Sequence, residues 1–202
     1  VDGDGHVDYF MTNYAEETDT LYRGEGDGFF FDGTYKAGLV EATYKPLGFG
    51  TKLFDYDLDG DLDIYVTRGH IVQIIAELRP GKGIRYEQPD QLLENDGRGR
   101  FKDISARSGA WFSKRFVGRG AAFGDFDNDG DLDVYVTNIG TDGLYINKGG
   151  SFTRVPLPAF ASNDDWSSGA SFLYYDRYGD LDLFVCHYLV DDPGRICRTG
   201  IR

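Results

Sequence analysis

Short apolar runs recur along this chain, each bounded by aspartates and glycines. They are Tyr9-Phe10-Met11-Thr12, Ile64-Tyr65-Val66-Thr67, Val134-Tyr135-Val136-Thr137 and Leu183-Phe184-Val185-Cys186. β-Branched and aromatic residues dominate them, which favours strands over helices. Each run follows an aspartate-rich window. Small-and-aromatic runs precede three of the windows, at residues 48–54, 120–124 and 169–173. A second pattern lies between windows, at residues 21–29, 92–101 and 144–152: an apolar run, a Gly-rich turn, then an aromatic residue. That is a hairpin signal. One unit therefore reads strand, acidic loop, strand, connection, strand, Gly turn, strand. The exception is the stretch 71–78 (IVQIIAEL), expected to form one or two helical turns in an inserted loop. The following Arg79-Pro80-Gly81-Lys82-Gly83 ends any helix there.

Aligning the windows on Gly5, Gly60, Gly130 and Gly179 gives spacings of 55, 70 and 49 residues. Four antiparallel strands at that interval suit a β-propeller blade. The expectation is an all-β chain of three to four blades, with approximate repeats at 1–47, 48–113, 114–165 and 166–202. Propellers usually close with about 4–8 blades. Val1 falls at the second position of its window, and only twenty residues follow Asp182. The strand count thus suggests part of a longer propeller, or a chain completed by other chains.

Composition narrows the function. The 202 residues carry a formal net charge of −13, against the basic face that nucleic-acid binding needs. No apolar run approaches the ~20 residues required to span a bilayer. A hydrophobic content of 41% is enough to fill a core. The acidity is focal: windows 1–8, 55–63, 125–133 and 174–182 hold 3, 5, 5 and 3 aspartates, and outside them 20 Lys and Arg face 18 Asp and Glu. A solubility coat would be spread evenly.

Two windows, Asp55 to Asp63 and Asp125 to Asp133, read D-x-D-x-D-G-x-x-D. Carboxylates at positions 1, 3 and 5 converge when the backbone curls, and Gly at position 6 permits the curl. Asp61 or Asp131, at position 7, can offer its backbone carbonyl, and Asp63 or Asp133 can close the shell. The ligand candidates are Asp55, Asp57, Asp59, Asp61 and Asp63, then Asp125, Asp127, Asp129, Asp131 and Asp133. Dense hard oxygen donors suit Ca²⁺ better than Mg²⁺, which keeps its waters, or Zn²⁺, which prefers Cys and His. A third Ca²⁺ site is expected at Asp2, Asp4 and Asp8, with His6 offering its carbonyl and position 1 lying before Val1. The fourth window has Tyr174 and Tyr178 at positions 1 and 5 and is expected to bind weakly or not at all.

D-x-D-x-D-G-x-x-D, preceded by Gly48-Phe49-Gly50, resembles the FG-GAP/VCBS repeats of integrin α-subunit propellers. Residues 21–39, Gly69-His70, 91–110 and 119–124 are similar to bacterial relatives of cartilage acidic protein. The resemblance implies a seven-bladed, calcium-binding propeller outside the cytoplasm, extracellular or periplasmic, with the matching aspartates as ligands.

Other candidates carry less chemistry. Cys186 and Cys197 either form a disulfide or leave Cys186 reduced in the core of its strand. His70 and His187 are expected to pack, Trp111 and Trp166 to be core or rim aromatics, and Arg115 and Arg119 to pair with local acids. The leading functional expectation is a structural or interaction module with a protein or glycan ligand, since no nucleophile–base pair stands out. The alternatives are a carbohydrate-active lyase or dehydratase, and a subunit of an extracellular assembly.

Overall fold

The apolar runs fold as strands in the order their spacing predicts. The computed structural model describes residues 1–157, 166–176, 178–189 and 200–201. Within them lie four antiparallel sheets. The first contains β1 (Tyr9–Met11), β2 (Thr20–Gly26) and β3 (Phe29–Asp32). The second contains β4 (Gly48–Phe54), β5 (Asp63–Arg68), β6 (Gln91–Asn95) and β7 (Phe101–Asp103). The third contains β8 (Gly118–Gly124), β9 (Asp133–Asn138), β10 (Gly143–Lys148) and β11 (Ser151–Val155). The fourth contains β12 (Trp166–Leu173), β13 (Asp182–Leu189) and β14 (Gly200–Ile201). Every strand pairs with its sequence neighbour, and the second and third sheets show the complete four-stranded meander of a propeller blade.

The alternation within each run explains how the sheets pack. Successive strand residues point to opposite faces. On β5, Ile64 and Val66 join Phe10, Leu21 and Leu39 in the core shared with the first sheet. Tyr65 points the other way, towards Val134, Val136, Tyr145 and Phe152 of the third sheet. On that sheet Tyr135, Leu144 and Ile146 meet Leu183 and Val185 of the fourth. Strands β5 and β9 are buried at all six positions, so the polar residues at their ends, Asp63, Thr67 and Arg68 on β5 and Asp133, Thr137 and Asn138 on β9, must find partners inside the protein. Trp111 and Phe112 come from a 3₁₀ turn, Ala110–Ser113, and wedge into the core between the second and third sheets. The Trp111 ring stacks on Tyr145, with centroids 3.3 Å apart.

The first strands of the second to fourth sheets approach one another through glycine. A Cβ on Gly50 would lie 2.7 Å from the Ala121 amide nitrogen, and one on Gly120 would lie 2.9 Å from the Gly169 Cα. Their pairings with β5, β9 and β13 each carry a register irregularity near these glycines. That fits strands bent where a side chain is absent.

Two details differ from expectation. The stretch 71–78 forms one helical turn as expected, α2 (Ile75–Leu78), but a five-residue helix, α1 (Leu39–Thr43), was not foreseen. Cys186 is exposed rather than in the core, because Leu183 and Val185 take the inward positions of β13. Cys197, and so the proposed pairing of the two cysteines, lies outside the described residues. Among the described residues no helix is long and apolar enough to cross a membrane.

Candidate metal centre

The two full acidic windows are the loops joining β4 to β5 and β8 to β9. Their curl is built from backbone N–H groups donating to aspartates. Asp55 accepts from Asp59 N (3.1 Å) and Gly60 N (2.9 Å), and Asp59 accepts from Asp61 N (2.9 Å). Asp125 and Asp129 repeat the set, with Asp129 N (3.0 Å), Gly130 N (3.1 Å) and Asp131 N (3.1 Å) as donors. The turn needs left-handed backbone at two places in each loop. Gly60 and Gly130 have φ of 96° and 98°, while Leu58 and Asn128 have φ of 62° and 60°. Such a φ is costly for a non-glycine residue such as leucine and persists only where the surroundings hold it.

The curl brings three carboxylates of each window together. Oxygen atoms of Asp55, Asp57 and Asp63 lie within 4.8 Å of one another, and so do those of Asp125, Asp127 and Asp133. Asp59, Asp61, Asp129 and Asp131 stand outside these groups. The Asp131 side chain accepts instead from Gly149 N (2.6 Å), which leaves its backbone carbonyl as the ligand expected at position 7. The groups are electrostatically uncomfortable. Burial, and then the charges of Asp59 and Asp55, raise the Asp57 carboxyl above its ordinary range. Burial pushes Asp63 up to about 7 and raises Asp133 as well. Among the described residues, Oδ1 of Asp57 is buried and has no hydrogen-bond partner. An orphaned carboxylate oxygen on one of three gathered carboxylates fits a hard divalent cation. Asp55, Asp57 and Asp63, and likewise Asp125, Asp127 and Asp133, would hold it.

The outer windows are not assembled this way. Asp2 pairs with Arg23 (2.8 Å), Asp4 accepts from His6 N (2.8 Å), and no group of three carboxylates forms within residues 1–8. The structure therefore does not gather Asp2, Asp4, His6 and Asp8. In the fourth window Asp176 accepts from Tyr178 N and Asp182 from Tyr175 N. No carboxylate group forms there among the described residues.

A structural role for the last aspartate of every window was missed. Its Oδ2 accepts from the residue at position 2: Tyr56 N to Asp63 (3.2 Å), Phe126 N to Asp133 (2.8 Å) and Tyr175 N to Asp182 (2.8 Å). Its other oxygen accepts from the neighbouring strand, as in Gly24 N to Asp8, Asn95 N to Asp63 and Asn147 N to Asp133. The signal was present, since Asp182 persists where Tyr174 and Tyr178 stand at other ligand positions. A second recurring acid was also missed. Asp19, Asp90 and Asp142 accept from Asn13 N (2.8 Å), Arg68 N (2.7 Å) and Asn138 N (2.7 Å). Asp90 and Asp142 accept also from the hydroxyls of Tyr65 (2.8 Å) and Tyr135 (2.9 Å). Burial pushes Asp90 up to about 7. Arg68 is fully buried and pairs with Asp19 of the first sheet at 2.6 Å.

The remaining candidates resolve as packing. The expectation for Arg119 was wrong: it donates to the carbonyls of Gly118, Gly69 and His70 and lies over the Phe49 ring at 4.3 Å. Arg115 has no ion pair among the described residues. His70 is buried, its Nδ1 accepting from Val72 N. Trp111 is a core residue, while Trp166 is exposed.

Acidic loops between the first two strands of successive propeller blades define a repeat protein of the FG-GAP-like class. Residues 1–66, 83–136 and 125–185 match the FG-GAP-like repeat, and the chain belongs to that family. It is 28% identical over 180 residues to Cartilage acidic protein 1 of Xenopus tropicalis, an alignment covering 83% of this chain. The chain spans 24% of that relative's length.

Proposed function

We propose that this chain is a calcium-binding propeller module of an exported protein, whose surface serves recognition rather than catalysis. The observation that carries the reading is the buried, unpartnered Oδ1 of Asp57 within a group of three carboxylates, beside a second group of the same composition. A bound Ca²⁺ supplies the positive charge that allows three carboxylates to share one point. The chain's own residues supply the rest: Gly60 and Gly130 allow the curl, and Asp63 and Asp133 tie each loop to its strands. Extracellular calcium modules bind at about 10⁻⁴ to 10⁻³ M, a range that cytosolic calcium would leave empty. The family assignment and the likeness to Cartilage acidic protein 1 support an interaction role. At ten times Kd one loop would stabilise by about 1.4 kcal/mol, against a total of about 5–15 kcal/mol. Calorimetric titration with Ca²⁺ is expected to give uptake at two loops, and a chelator is expected to lower the melting temperature. Titration without heat or melting shift would refute the reading.

A further inference from the structure

Asn95 and Asn147 occupy the same place in the second and third sheets, at or next to the end of the third strand before its Gly turn. Both are buried. Each makes the same three kinds of contact, and Asn95 also donates from its NH₂ to Leu62 O of its own loop (3.0 Å). The backbone N–H donates to the last aspartate of its own sheet's loop, Asn95 to Asp63 and Asn147 to Asp133, both at 2.8 Å. The side-chain oxygen accepts from its own turn, at Gly99 N or Gly150 N, both 3.0 Å. The side-chain NH₂ donates to the acidic window of the preceding sheet: Asn95 to Val1 O and Asn147 to Tyr56 O, both 2.8 Å. Val1 and Tyr56 hold the same position of their windows. Tyr56 O belongs to the peptide that joins Tyr56 to Asp57, the residue carrying the orphaned oxygen. The approach is close, since a Cβ on Gly150 would lie 3.2 Å from the Asp57 Cβ.

From this we infer that Asn147 is a positioning residue that couples the two metal loops: cation uptake at one raises the affinity of the other. The inference rests on the calcium reading of the loops. A cation at 125–133 fixes Asp133, and Asp133 holds the Asn147 backbone. Asn147 then holds the Tyr56–Asp57 peptide of the neighbouring loop. Ordering made once need not be made again when the second loop fills, which is positive coupling. The same link runs from Asn95 to the window at 1–8, where the carboxylates are not gathered.

The loops can be read separately. Tyr56 lies inside the 55–63 loop, and Phe126 holds the matching place in the other. Tyrosine-sensitised emission of terbium(III), a stand-in for Ca²⁺, that is lost in Tyr56→Phe therefore reports the first loop. Emptying the second loop with Asp125→Asn and Asp127→Asn is expected to weaken terbium binding at the first by about fivefold or more. In an Asn147→Ala background the same two changes are expected to make no difference. Asn147→Asp, which keeps the acceptor for Gly150 N but lacks the donor to Tyr56 O, serves if the alanine variant does not fold. Equal affinity with the neighbour full or empty, or coupling that survives loss of the Asn147 donor, overturns the inference. Absence of terbium emission at any concentration in the unaltered protein instead removes the calcium reading beneath it.

Discussion

Asp57 concentrates the energetic problem of the acidic loops in one atom. One of its oxygens is buried with no partner among the described residues, and burial, then the charges of Asp59 and Asp55, hold its proton affinity up. Asp57→Asn removes that charge while keeping the shape. The metal-free variant is expected to melt higher than the unaltered protein, by about 2–4 °C for each kcal/mol relieved in a chain of this size. In saturating Ca²⁺ the order reverses, because a neutral amide is a poorer ligand. Melting curves with calcium and with chelator check both halves. Asp90 gives a separate, metal-independent case. Its carboxyl is raised to about 7 in the folded chain by burial, so the folded state binds a proton that the unfolded state releases. Stability is therefore expected to fall as pH rises from the ordinary carboxylate range to about 7, and to change no further from this group above that. Asp90→Asn should flatten that part of the profile. Asp90→Ala should cost about 1–3 kcal/mol instead, by leaving Arg68 N and the Tyr65 hydroxyl without an acceptor. Denaturant unfolding across pH 4.5 to 8, with Ca²⁺ present, distinguishes them.

At the scale of elements, the glycines of the first strands decide how near the sheets can come. Gly50 faces backbone across the gap to β8, and Gly120 faces backbone of β12. Gly169 would place a Cβ in open space. Gly50→Ala and Gly120→Ala are expected to destabilise by about 1–3 kcal/mol each, and Gly169→Ala to be close to neutral; chemical denaturation midpoints test the contrast. The strands themselves were legible because short β-branched and aromatic runs, bounded by glycine and aspartate, have few other ways to bury both faces. Helix α1 was not legible: five residues show no helical period, and Leu39 is fixed by the core between the first two sheets. The acids of the buried networks were equally hidden. Asp90 meets its partners Arg68 and Tyr65 across 22 and 25 residues of chain, and no local pattern announces such a meeting. The misreading of Arg119 has a related cause. An arginine in an acidic chain suggests a carboxylate partner, but the bend of β8 turns it towards carbonyls and the Phe49 ring.

Over the whole molecule the excess of negative charge is gathered into a few loops. Two of them, in the second and third sheets, draw three carboxylates to one point. Screening and cation binding therefore act on the same repulsion. In the metal-free chain, added NaCl is expected to raise the melting temperature by shortening the reach of that repulsion. In saturating Ca²⁺ the response to salt should shrink towards zero. A salt series run in both conditions decides it. The ligand set was only partly readable at this scale. The spacing of aspartates located the loops, but which three of the five carboxylates lie together, Asp55, Asp57 and Asp63, is decided only by the curl of the folded turn.

Asn147 reaches back from the third sheet to the turn that opens β5 in the second, and Asn95 reaches back from the second sheet to Val1. The working module is for that reason out of phase with the visible one. Chimaeras spliced at the gaps between sheets would part each acidic turn from its clamp. Splices placed after a Gly turn, once the clamp has been carried along, should yield modules in which each acidic turn keeps the asparagine that holds it.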